Sequence, residues 1–249
     1  MALCSAACGT ESVPGRRVDV QLALQPAHDV AASRDFTGAD GWSVHLDEAR
    51  VMLGPIYLRA PKRAVAWQWL LPRAHAHAQT LQDADVVGEY LGEVAYDALG
   101  GPFVVGGFES ADELSDALSV VLAAPRTPEA QAQLRGHRAF VRGFASRGAQ
   151  RIDFACGLRI DGAGAELPQN LEARRRVDRV PVEPSARLDE GARLSLFVDV
   201  QRWLELVRFE DLTPGADPCA SPSAPFLAQW YLGIRRPEAF RAEIAGGTP

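Results

Sequence analysis

The sequence predicts an all-β protein, a β-sandwich of the Ig-like or jelly-roll-like kind with short helical segments near its C-terminal end. Two observations point there. Residues 17–24, RVDVQLAL, alternate strictly, with Val18, Val20, Leu22 and Leu24 on one face, which is the period of a half-buried strand. Comparable runs then recur at short intervals, separated by turns rich in Gly, Asp and Pro, which is the spacing of many short strands in a sandwich or barrel.

The elements follow in order. In GWSVHLDEARVMLGPIYLRA, Trp42, Val44 and Leu46 share one parity, and Val51 and Leu53 take the opposite one. Such a change inside a long strand signals a bulge or a hairpin. Further strands are expected at 64–71 (AVAWQWLL), 86–96 (VVGEYLGEVAY), 102–109 (PFVVGGFE) and 116–123 (DALSVVLA). The clearest hairpin spans HRAFVRGFASRGAQRIDFACGLRID, where Arg147-Gly148 forms the turn and Gly supplies the positive φ of a tight connection. A second pair, DRVPVEPSARL and ARLSLFVDV, is separated by DEG. From residue 201 the period changes. APFLAQWYLGIRRPEAFRAEI suits one or two short helices broken near Pro237, where the missing N–H ends a helix. The organisation expected is a leader remnant and spacer at 1–16, a β-sandwich domain at 17–212, and a loop with a short helical appendage at 213–249.

At 249 residues and 47% hydrophobic content, the chain is long enough to bury a substantial core. A net charge of −6 and a pI near 5.4 exclude a nucleic-acid partner, because tracking phosphates needs a positive excess. The opening MALCSAACGTESVPG resembles the tail of a bacterial lipoprotein signal, with Cys8 as the residue that would carry lipid. Export to the periplasmic side of the cell envelope, with membrane attachment through that lipid alone, is the localisation expected. Of the four cysteines, Cys156 and Cys219 then remain as a possible disulfide, a bond that persists in oxidising compartments.

The residues that suggest chemistry cluster in PRAHAHAQTLQDADVVGEY. In a strand, His75 and His77 point to the same face, so two imidazoles can converge on one ion. Zinc or copper needs one or two further ligands. Glu89 is one candidate, from the run in which Glu89, Glu93 and Asp97 share a strand face. His137, at the start of the hairpin, is another. His45, on the polar face with Ser43 and Asp47, is expected to face solvent. No Gly-x-Ser-x-Gly, Gly-x-x-x-x-Gly-Lys or His-Glu-x-x-His occurs, so binding without turnover is expected rather than catalysis. Trp67 and Trp69 share a strand face and offer an aromatic platform as the alternative, a module for a protein or glycan.

The segments DGWSVHLDEARVMLGPIYL, AHAH, VVGEYLGEVAYD and VDVQRWLELVRFEDL resemble a group of predicted secreted lipoproteins of the kind found in myxobacteria and similar high-GC bacteria. The resemblance covers most of residues 40–212. It implies export, a β-rich fold and attention to His75, His77 and Glu89, and it carries no activity. The functional expectation is an envelope-anchored protein that binds copper or zinc through His75, His77 and a third ligand, with the envelope protein or glycan module as its rival.

Overall fold

The computed structural model describes residues 17–61, 85–159, 175–212, 219 and 225–246. The chain is all-β: among the described residues twelve strands join one mixed sheet, with a few short helices. They are β1 (Arg17–Pro26), β2 (Asp35–Thr37), β3 (Ser43–Arg59), β4 (Val86–Tyr90), β5 (Val94–Asp97) and β6 (Phe103–Ala111). The second half of the chain supplies β7 (Leu114–Leu122), β8 (Ala139–Arg147), β9 (Gln150–Leu158), β10 (Arg176–Arg187), β11 (Arg193–Val198) and β12 (Phe240–Ala245). The helices are α1 (Val30–Arg34), α2 (Pro128–Leu134), α3 (Val200–Leu204) and α4 (Pro225–Ile234).

Following hydrogen-bonded neighbours along β3, β4, β6, β1, β11, β12, β10 and β7 returns to β3. Eight strands therefore close a barrel, so within the all-β class the strands form one closed circuit instead of two facing sheets. Eight strands leave an interior just wide enough for side chains to fill it. Here the filling is mainly aliphatic: Leu22, Leu24, Ile56, Leu58, Leu194 and Leu196 are all fully buried, joined by Phe108 of β6 and Phe240 of β12. Strand β1 shows how alternation achieves this, since Val18, Val20, Leu22 and Leu24 face inward while Asp19 and Gln21 stay exposed.

Strand β3 belongs to two structures. Its C-terminal half lies between β7 and β4 in the barrel wall. Its N-terminal half leaves the barrel and pairs with β2 and β8, and β9 follows β8. The passage between the halves is Gly54, with φ +121° and a ladder shift between Leu53 and Ile56. A Cβ there would sit 2.1 Å from the Gly92 carbonyl oxygen, so a side chain is excluded by contact as well as by backbone conformation. The bulge expected from the parity change is thus present, in two places: a second shift separates Leu46 from Glu48.

The inner face of the β2–β3–β8–β9 extension packs on α4 and the 3-10 turn Phe209–Asp211 through aromatic side chains. Trp42 and Phe209 lie 5.9 Å apart, Phe154 and Phe226 5.4 Å, and Phe226 and Trp230 6.2 Å, centroid to centroid. These are favourable tilted and edge contacts between rings. Cys156 on β9 is joined to Cys219 by a disulfide with a Cα–Cα distance of 5.6 Å.

Two local expectations are corrected. The strands at 176–187 and 193–198 are not a hairpin, because β12 lies between them, parallel to β10 and antiparallel to β11. Residues 240–245, expected to be helical, are that strand, and Ala242 and Ile244 face the barrel core. The helical expectation holds for α4 and fails after Pro237, where the sheet offers ladder partners that outweigh helix propensity. The expected strand at 64–71 lies outside the described residues.

A polar relay ties the barrel wall together on its outer face. Arg59 is buried and donates from Nε to Ser119 Oγ at 2.7 Å, and Ser119 donates to Asp178 at 2.7 Å. Asp85 pairs with the same guanidinium, and Arg176 holds Asp178 at 2.9 Å. Burying an arginine is tolerated when its donors are met by acceptors in this way.

Candidate functional site

His75, His77 and Cys8, with the aromatic pair Trp67 and Trp69, lie outside the described residues. Glu89 is on β4 with an exposed side chain, opposite Tyr57 on one side and Glu109 on the other. His137 precedes β8 and is half-buried. Its ring stacks on Phe140 at 6.4 Å and occupies the space above Gly157, where a Cβ would come within 2.1 Å of the imidazole. Its Nδ1 is buried and has no hydrogen-bond partner among the described residues. Burial, followed by the charges of Arg159 and Arg135, pushes its pKa below the ordinary value of 6.5, so the ring is neutral at pH 7.

Glu89 and His137 do not meet. Glu89 is level with Tyr57 on β3, and His137 lies two residues before Ala139, which is level with Val51. Because β8 runs antiparallel to β3, His137 falls about level with Leu53, four residues along β3 from Tyr57 and on the opposite flank of the strand from β4, a backbone separation of roughly 16 Å. Ligand bonds of about 2 Å cannot bridge that gap, so one ion takes at most one of the two. Among the described residues no group of three His, Cys, Asp or Glu side chains is arranged to hold a metal.

What the fold does assemble is a polar shelf on the outer face of the extension. Cross-strand pairing sets its rows: Asp35, His45, Phe144 and Asp153 lie level across β2, β3, β8 and β9, and Thr37, Ser43, Ser146 and Arg151 form the next row. Residues opposite one another in antiparallel strands share a face, so these eight side chains present together. His45 Nδ1 lies 2.6 Å from Asp35 Oδ1, and its Nε2 lies 3.5 Å from Asp47 Oδ1. The imidazole stacks on Phe144 at 5.1 Å, and the Arg151 guanidinium sits 3.7 Å from the Phe144 centroid. A shallow cavity of about 390 Å³ opens here, lined by Asp35, Phe36, Thr37, Ser43, His45 and Ser146 among others.

Each ring nitrogen of His45 thus has its own carboxylate, on opposite sides of the ring. Asp35 and Asp47 therefore cannot close on one cation with the imidazole between them. They orient the ring instead. The three hydroxyls beside it both donate and accept hydrogen bonds. The parity of Ser43, His45 and Asp47 was visible in the sequence. The contribution of Asp35 was not, since β2 is three residues long and follows a helix.

A second cavity, of about 370 Å³, is lined by Arg50, Tyr96, Asp97, Gly100, Phe103 and Gln133. Its charges are largely spent on one another: Arg50 donates to the Gln133 carbonyl at 3.2 Å and stands 4.0 Å from Asp97.

Comparison of the chain with known protein families, curated proteins and solved structures finds no match.

Proposed function

We propose that this protein is an exported, non-catalytic binding module that holds a polyhydroxylated ligand, a glycan of the cell envelope, on the shelf around His45. The observation that carries the reading is the arrangement in register of Asp35, Thr37, Ser43, His45 and Ser146 beside Phe36 and Phe144. Sugar hydroxyls need several donors and acceptors at fixed spacing beside apolar ring surface, and a few placed polar groups set the orientation of a bound ligand. The His45 ring is held by its carboxylates before any ligand arrives, which lowers the ordering cost of binding. The Cys156–Cys219 disulfide supports an oxidising compartment.

Calorimetric titration of the purified protein with soluble envelope polysaccharide and peptidoglycan fragments tests this. Binding that weakens at least about tenfold in His45→Ala, a loss of about 1.4 kcal/mol, supports the shelf. Equal affinity in wild type and variant rejects it.

Copper or zinc binding through His75 and His77 is the competing reading. It is favoured at one point, since Glu89 presents an exposed carboxylate while the Nδ1 of half-buried His137 is closed off. Titration with Cu²⁺ and Zn²⁺ separates the two: about one equivalent bound, and lost when both histidines become alanine, would establish the metal site.

A further inference from the structure

Strand β9 ends the path of the sheet: β8 pairs with it on one side, and no strand among the described residues pairs with it on the other. The β8–β9 ladder runs from Ala139↔Leu158 to Arg147↔Gln150 without a register shift. The strand carries no proline, and the residues it turns inward, Ile152, Phe154 and Cys156, are apolar and buried. The usual protections of an edge, a bulge, a proline or an inward charge, are therefore missing.

The turn decides which backbone groups are free. Gly148, with φ 60°, and Ala149 form a two-residue connection, whose closing pair exchanges both hydrogen bonds. The N–H and C=O groups of Gln150, Ile152, Phe154 and Cys156 therefore face β8. Those of Arg151, Asp153 and Ala155 face away from it. The Arg151 and Asp153 side chains are 56% and 70% exposed on the outer face.

We propose that β9 pairs with β9 of a second copy of this chain, antiparallel, about a two-fold axis at Ile152. An axis at Asp153 would set two aspartates opposite each other, and like charges directly opposite are destabilising. An axis at Phe154 leaves Asp153 facing Ala155 and Arg151 facing Gly157, so these two side chains keep only their 2.8 Å pairing along their own strand and meet no charge across the interface. The axis at Ile152 sets each Arg151 opposite the partner subunit's Asp153, in the position where both backbone hydrogen bonds form. This is a self-complementary edge of the kind a C2 interface requires. The extension then becomes one continuous eight-stranded sheet, and the two-fold axis, normal to that sheet, places both shelves on the same side. Two weak sites on one surface gain avidity toward a repeating polymer, although the pairing itself does not depend on what the shelf binds.

Light scattering coupled to size exclusion tests this on the purified protein. Wild type is expected at twice the 26.9 kDa of the chain. Asp153→Arg sets arginine against arginine and is expected at the single-chain mass, while R151D with D153R restores the opposite charges and the dimer. Asp153→Pro is a second, charge-independent break, because it removes an outward N–H and leaves the β8 ladder whole. Circular dichroism melts confirm that each variant is folded. A wild type that is monomeric up to its solubility limit, a dimer that D153R or Asp153→Pro leaves whole, or a charge swap that stays monomeric overturns the proposal.

Discussion

The barrel and the extension use the same strand, β3, and solve opposite problems with it. The barrel closes on itself, so none of its eight strands is left with an open edge along the closed circuit, and its interior is mainly aliphatic, with Phe108 and Phe240 among the leucines and valines. The extension cannot close. It buries its inner face under helices, with aromatic rings as the filling and a disulfide on its outermost strand, and among the described residues it leaves one strand edge unpaired and a polar face to solvent. Closure needs little beyond alternating aliphatic residues. An open sheet needs extra fastening, and in exchange it has a free surface to which function can be attached, as binding residues commonly sit on elements held by a rigid scaffold.

Removing one ring and one aliphatic side chain sharpens this comparison most. Phe226→Ala is expected to cost about 4 kcal/mol, and Leu22→Ala in the barrel about 3 kcal/mol, as cavities of different size open in packed cores. Urea unfolding measures both. A Phe226→Ala cost below that of Leu22→Ala would mean that the extension relaxes around the hole. Replacing Cys156 and Cys219 by serine frees a loop with a sequence separation of 63, for which chain entropy gives a similar loss, about 4 kcal/mol. Because β3 is common to both regions, a single shifted melting transition is expected. Two separate transitions would show that the extension opens independently.

In the barrel wall, Arg59→Ala leaves Asp85 and Ser119 without their buried partner and is expected to cost about 3 kcal/mol. The same change in activity of the shelf, read as ligand affinity, should be nil, since Arg59 lies in the other region.

The smallest effect is a pH slope. His137 has a folded pKa below its unfolded value of 6.5. The unfolded chain therefore binds the proton first as pH falls, so the stability that His137 contributes is present above pH 6.5 and is lost between 6.5 and the lower folded pKa. His137→Phe should flatten the stability curve over that interval, measured by denaturant midpoints from pH 7.5 to 4.5. An unchanged slope would assign the pH response to other groups.

The sequence was informative where local period and tertiary role agree. RVDVQLAL is β1, and the Arg147-Gly148 turn joins β8 to β9 in register. It was misleading where a distant partner decides. EAFRAEI has the spacing of a helix, yet β12 forms because β10 and β11 hold it on both sides. The closure of the barrel depends on the parallel pairing of β1 with β11, which joins Leu22 to Leu194, and no local pattern announces it. The same holds for the shelf: the parity of His45 was legible, and its role depends on Asp35, Phe144 and Ser146 arriving from β2 and β8. His75 and His77, the most conspicuous residues of the sequence, fall outside the described part.

The insertion of β12 between β10 and β11 has a consequence for biosynthesis. A ribosome releases β1, β3, β4 and β6 long before β12 exists, and β11 and β12 are among the last segments to emerge. Until β11 emerges β1 is unpaired on one flank, so the nascent chain carries that open, apolar edge from the first strand to residue 193, and β10, once made, in turn waits for β12. A topology so dominated by contacts distant in sequence folds slowly and is exposed to aggregation in the interval. Holding factors that keep the chain extended until its C-terminal part is complete should therefore raise the yield of folded protein more than factors that accelerate early collapse.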